Sequence, residues 1–184
     1  MMGDISTNFS FSEFVVSASF PQLAAQIELS RADKVKIHWL VHVILQPLRD
    51  FLNSDLMNDG PLKISIESGI RDVALNRAVG GVDNSDHMFR RLSCASDIKL
   101  GDDTSKHWER AYSFCYTIRQ YIKQFIWYLP YTDEQGRPRG NFIHVSTHDH
   151  TDKTWDVLYC SSRGARQYFR TVQEAEDYMR SGGG

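Results

Sequence analysis

The sequence predicts an α+β domain, a small antiparallel sheet flanked by helices. Runs of strand character at Leu62–Ile66, Cys94–Leu100, Asn141–Ser146 and Trp155–Cys160 are mixed with amphipathic helical stretches. They lack the regular β-α-β alternation of a parallel sheet. The 184 residues, 41% hydrophobic and 12% aromatic, suffice to bury one core and argue against disorder. No internal repeat or long linker divides the chain, so residues 1–184 read as a single domain.

The elements follow in order. Phe9–Phe14 is short and aromatic and predicts an N-terminal arm or short helix. Between 32 and 52 the residues Val35, Trp39, Val43, Leu48 and Leu52 recur at near-helical spacing, widened by Val41, Ile44 and Leu45. Pro47 lies inside this run and should kink it or leave a carbonyl unpaired. Asn58-Asp59-Gly60-Pro61 signals a turn. The alternating strand from Leu62 then delivers Ser68-Gly69-Ile70-Arg71. A short helix over Val73–Val79 ends at Gly80-Gly81, and 82–93 is a polar loop before the Cys94–Leu100 strand.

Asp102-Asp103-Thr104 is expected to cap a long helix over 104–126, with Trp108, Ala111, Cys115, Ile118, Ile122 and Phe125 on one face. Glu134–Pro138 reads as a turn. A last amphipathic helix runs from Thr171 to about Met179, and Ser181–Gly184 is a frayed end.

The net charge of −2 gives no reason to expect nucleic acid or an anionic membrane as partner. Cys94, Cys115 and Cys160 are odd in number and lack CxxC spacing, so neither a disulfide framework nor a cysteine zinc site is indicated. No apolar run approaches membrane-spanning length. Asp4 and Asn8 interrupt any signal peptide at the start. The expected location is therefore the bacterial or host cytoplasm, with separate delivery if the target is the periplasm or wall. Oligomeric state is not legible.

His87, Asp97 and His144 form the most informative constellation. Two imidazoles and one carboxylate suit a zinc ion whose fourth position stays open, the pattern of a catalytic rather than a structural site. Asp97 lies between Ala95 and Ile98 in an apolar stretch, where an unpaired carboxylate is expensive to bury and a metal removes the difficulty. The alternative is that Asp97 pairs with an arginine and His87 is exposed. Other histidines compete less well. His148 and His150 complete an H-x3-H-x-H pattern with His144 but lie in a polar loop, as reserve ligands. His38 and His42 are spaced for zinc on a helix, but Trp39 stands where the H-E-x-x-H motif has glutamate. His107 reads as structural or exposed.

Ser68-Gly69-Ile70-Arg71, Leu75–Gly81, Asn84-Ser85-Asp86-His87 and Ala95-Ser96-Asp97, followed by Phe142-Ile143-His144, resemble the D-alanyl-D-alanine carboxypeptidase family of zinc peptidases. That family carries S-G-[YF]-R, then S-x-H-x-x-G-x-A-x-D, then [DE]-x-x-H. Phe9–Phe14 and Leu45–Arg49 extend the resemblance toward a phage and bacterial branch, so that it covers roughly 9–146. It implies a hedgehog/DD-peptidase-like fold, zinc on His87, Asp97 and His144, and a peptidoglycan peptide as partner. It further implies that Arg71 stabilises developing oxyanion charge and that Ser85 hydrogen-bonds substrate or a ligand's outer shell. Their alternatives are a salt bridge from Arg71 to Asp72 or Glu67 and a turn-stabilising role for Ser85.

The chain departs from the family pattern at three points. His87 and Asp97 are ten apart rather than seven, which places an insertion around Phe89-Arg90-Arg91. Ser93 replaces the motif glycine, a cost if that position needs positive φ. Asn141 stands at the catalytic position of the general base, and an amide cannot accept a proton at neutral pH. Glu67, Asp83, Asp86 and Asp149 lie near the motifs as substitutes. The resemblance therefore carries two readings. One is a zinc peptidase of D,D-carboxypeptidase or endopeptidase type, acting on D-amino-acid-containing peptidoglycan peptides. The other is a catalytically impaired, zinc-containing wall-binding or structural protein.

Overall fold

The computed structural model describes residues 3–54, 61–90 and 93–147, the backbone of 156–161 and 167–169, and residues 170, 174 and 177. The expected turn at 58–60, the loop with His148, Asp149 and His150, the tail at 181–184 and most of the closing helix lie outside the described residues.

In chain order the helices are α1 (Pro21–Ala24), α2 (Arg31–Leu40), α3 (Gln46–Asn53), α4 (Val73–Ala78) and α5 (Trp108–Thr117). The strands are β1 (Ile64–Ser68), β2 (Ala95–Leu100), β3 (Ile122–Tyr128), β4 (Tyr131–Thr132), β5 (Pro138–Arg139), β6 (Phe142–Thr147), β7 (Asp156–Ser161) and β8 (Gln167–Phe169). One sheet runs β1-β2-β6-β3-β7-β8, and β4 with β5 forms a separate hairpin. The expected α+β class holds, with the successive pairs β1–β2, β2–β6 and β6–β3 antiparallel. β7 joins β3 in parallel, so the full sheet is mixed.

Alternation along the strands divides the sheet into two faces. Ile98, Leu100, Phe125, Trp127, Ile143 and Val145 belong to the main core, with Ile37, Leu40, Ile44 and Leu48 from the helices. Trp108 of α5 stacks on Trp127 at 4.5 Å, and Tyr112 meets Phe125 edge-on. Asp97, His144, Ile126 and Tyr128 lie on the opposite face by parity. The site therefore rests on one side of a rigid sheet, and the helices support the other.

Two local features differ from the sequence reading. The interruption near Pro47 is a π-helical turn over Val41–Leu45, in which Gln46 N–H reaches back to Val41 O. Pro47 sits in the first turn of α3, where its missing N–H is least costly. Val35, placed on the apolar stripe, is 62% exposed. The long helix expected over 104–126 is a correction. It ends at Thr117, passes through a 3-10 turn at Arg119–Tyr121, and becomes strand β3 at Ile122. The N-terminal arm behaves as expected. Phe11–Phe14 forms a 3-10 turn with a Ser10–Glu13 capping box, and Phe9 and Phe14 are buried.

Candidate metal centre and its cleft

Sheet register brings two of the three candidate ligands together. Asp97 of β2 and His144 of β6 are directly opposed cross-strand partners, and Ile126 of β3 flanks His144. Side chains opposed on one face of an antiparallel pair are near neighbours. Asp97 Oδ1 lies 2.9 Å from His144 Nδ1.

His87 arrives from outside the sheet, on a 3-10 turn over Asp86–Met88. Two contacts and the turn's left-handed end fix it. Arg71 N–H donates to His87 O at 2.8 Å. His87 Nδ1 meets Gly69 O at 2.7 Å. Phe89 ends the turn in the left-handed region at φ 49°. The loop leading to this turn is held by the buried Asn76, whose Nδ2 donates to Val82 O at 2.9 Å. Gly69 allows its carbonyl to sit there, because a Cβ at that position would lie 2.3 Å from Phe14 O. The glycine missing at Ser93 has no conformational cost, since Phe89 and Asn141 are the non-glycine residues at positive φ among those described. The inserted segment makes its left-handed turn at Phe89.

His87 Nε2 is 3.1 Å from both Asp97 Oδ1 and His144 Nδ1. All three residues are buried, and their ligand atoms lie within 4.8 Å of one another. Tetrahedral ligands with bonds near 2 Å stand roughly 3.3 Å apart, close to these separations. The donor chemistry also fits. A carbonyl only accepts, so His87 Nδ1 carries the proton given to Gly69 O. In the neutral ring Nε2 is then a bare acceptor facing Asp97 Oδ1. Burial lowers the pKa of His87 from its ordinary 6.5, which favours that neutral form. One proton on His144 Nδ1 would have to serve two acceptors, whereas a divalent cation satisfies all three atoms. A backbone carbonyl on the other ring nitrogen, as Gly69 O is on His87 Nδ1, is the kind of partner that orients an imidazole for a metal.

Burial by itself would raise the Asp97 pKa, but the facing imidazoles of His87 and His144 outweigh it and hold the carboxyl well below its ordinary range. Arg71 Nη2 adds a 2.8 Å ion pair to Asp97 Oδ2, and its Nε donates to Ser68 Oγ at 3.0 Å. Arg71 thus does pair with a carboxylate, and that carboxylate is the candidate ligand.

A cavity of about 350 Å³ opens over the cluster, with Arg71, Ser85, His87, Asp97 and His144 in its lining. The structure therefore brings five of the six sequence-derived site residues together. Asn141 is the exception. It precedes β6 at φ 58°, and its Nδ2 donates to Asp103 Oδ1 at 2.9 Å. It lines a different cavity, with Asp102, Tyr131 and Arg139.

The nearby carboxylates separate in the same way. Asp86 lines the cleft and pairs with Lys123 at 3.0 Å. Glu67 lines an adjoining cavity and pairs with Lys99 at 3.1 Å. Asp83 faces a small pocket with Arg77 and Arg90. His38 and His42 pack ring against ring on an exposed helix face, and among the described residues they recruit no third ligand. Cys94 and Cys115 are free and buried, the Cys94 thiol pushed up to about 12 by burial. Sequence reasoning missed Lys123, Gln124, Ile126 and Tyr128 as cleft residues. Their signal was strand periodicity in a stretch read as helix.

These features define a mixed-sheet domain with a His-Asp-His group that could hold a metal, and no helix among the described residues is long and apolar enough to cross a membrane. The resemblance to the zinc D-alanyl-D-alanine carboxypeptidases is borne out by a family model described as Peptidase M15, which matches residues 44–125. The matched segment contains Arg71, Ser85, His87 and Asp97, while His144 lies beyond it. No curated protein matches the chain, and no solved structure does.

Proposed function

We propose that the protein is a zinc-dependent peptidase of the D-alanyl-D-alanine type, acting on D-amino-acid-containing peptides of peptidoglycan. The observation that carries this reading is the buried convergence of His87 Nε2, Asp97 Oδ1 and His144 Nδ1 beneath a cleft, on a chain with a Peptidase M15 match. His87, Asp97 and His144 would hold the ion, which supplies Lewis acidity toward a peptide carbonyl and an acidified water. Arg71 fixes Asp97 and presents positive charge to the cleft, where oxyanion charge would develop. Ser85, on the rim, has a hydroxyl for a substrate amide. Asp86 is the cleft carboxylate available to carry a proton, with Lys123 holding it in place.

The second reading, a zinc-containing wall-binding protein without turnover, is favoured by Asn141, whose amide is committed to Asp103. One experiment separates the two. Zinc content is measured alongside amine release from a peptide ending in D-Ala-D-Ala, for wild type, Asp86→Asn and Glu67→Gln. Zinc-dependent release that falls about 10²–10⁴-fold in Asp86→Asn, but not in Glu67→Gln, supports the enzyme with Asp86 as base. Zinc retention without release supports the binding protein. Loss of zinc binding in wild type overturns both.

A further inference from the structure

Of the candidate ligands, Asp97 stands at the junction of two cavities, while His87 and His144 line the first of them. The first is the cleft over His87 and His144, which extends toward Ser85, Lys123, Gln124 and Tyr128. The second, about 400 Å³, lies between the N-terminal arm at Ser17–Phe20 and the hairpin end at Pro138–Gly140. The two adjoin along Arg71, Val79, Asp97 and Phe142, which line both. Each volume is at the low end of the about 300–1,000 Å³ typical of ligand pockets, and both are partly open to solvent. A site that trims a chain terminus needs room on one side of the scissile bond and a closed end on the other. Here there is room on both sides.

The second cavity also has its own charge. Lys99 and Arg139 line it, with side chains 40% and 43% exposed. Lys99 is offset by Glu67. Asp133, however, receives both Arg137 at 2.8 Å and Arg139 at 3.0 Å, so two guanidiniums share one carboxylate. The Arg137–Asp133–Arg139 cluster at the cavity's edge therefore carries one positive charge more than its shared carboxylate offsets, and Arg139 is the member that lines the cavity, suited to an anionic group of a ligand.

Resting on the peptidase reading above, we infer that the site takes a peptide continuing on both sides of the bond over the metal, with a carboxylate of that peptide beside Arg139 and Lys99. The substrate class is then an internal bond of an acidic peptide rather than a free chain end.

The test uses the zinc-loaded full chain and two synthetic peptides. One carries several residues, including a glutamate, on each side of a central D-Ala-D-Ala bond. The other stops at that D-Ala-D-Ala with a free carboxylate. Calorimetry gives affinities, and mass spectrometry locates any cut. The inference expects the extended peptide to bind at least about tenfold more tightly. It also expects Arg139→Ala to bring the ratio of the two affinities toward one, and Arg139→Lys to restore much of it. Zinc content and melting temperature confirm that the variants are folded. Equal affinities, a ratio unchanged by Arg139→Ala, no measurable binding of either peptide, or cleavage of the short peptide alone would overturn it. The two readings fail differently. Tight, Arg139-dependent binding of the extended peptide without any cut upholds the two-sided binding site and sinks the catalytic reading. Terminal trimming alone does the reverse.

Discussion

His87 is neutral in the fold because burial opposes its charge, and this sets the direction of the pH response. Above its ordinary pKa of 6.5 the imidazole is neutral whether the chain is folded or not, and the full stability is present. Below that value the unfolded chain takes up a proton that the folded one resists, so stability falls with pH until the lowered folded pKa is reached. Asp97 acts in the same sense further down. Its depressed pKa contributes stability that is lost as strong acid protonates the carboxyl. Urea midpoints of metal-free protein should drop between pH 7.5 and 5.5, and zinc affinity should drop with them as protons compete for the imidazoles. Flat midpoints across that range would contradict the lowered pKa of His87. Asn141 gives a second expectation. Asn141→Asp sets a new carboxylate against Asp103 Oδ1, now 2.9 Å from the amide nitrogen. The variant should melt lower than wild type at neutral pH and gain no turnover. A rise in peptide cleavage would show that this side chain reaches the metal. At this scale the candidate ligands were legible because each is a chemically conspicuous residue in a motif. The placement of Asn141 was not, because it depends on a left-handed backbone that any pattern of residue types leaves unstated.

β3 is the element at which the sequence pattern misled. Trp108, Ala111 and Cys115 continue by helical spacing into Ile122 and Phe125, yet the chain leaves the helix between them. The competing signal lies in Ile122–Tyr128, where β-branched and aromatic residues dominate and both faces are buried, a composition that favours a central strand. Because β3 lies between β6 and β7, its side chains bind the helical layer to the sheet on one face and line the cleft on the other. Trp127, 6% exposed and stacked on Trp108, belongs to the first face. Trp127→Ala should cost about 3–5 kcal/mol, read by denaturant unfolding, whereas truncating the exposed Val35 should stay within about 0.5 kcal/mol. Comparable losses at the two positions would return this segment to the helix that its spacing suggested. β1, β2 and β6 were legible to within about two residues, since alternation and flanking turns agree there.

For the molecule as a whole, a metal that binds only the native arrangement adds to folding free energy. At free zinc one hundred times its dissociation constant the gain is about 2.7 kcal/mol, or roughly 5–10 °C in melting temperature for a chain of this size. Calorimetric scans with zinc and with chelator should differ by that amount in wild type and coincide in His144→Ala. A zinc shift that survives in His144→Ala would place the ion elsewhere. The strand order has a further consequence, for the ribosome. β6 is the strand inserted between β2 and β3, although it is made after both. A growing chain can therefore display its first two candidate ligands, and even pair β1 with β2, while the slot for the third stays empty. The centre closes only when residues up to 147 have emerged and β6 slides between its two older neighbours. Until then the nascent protein has no assembled site, so any hydrolytic capacity is withheld during synthesis and conferred by one late insertion.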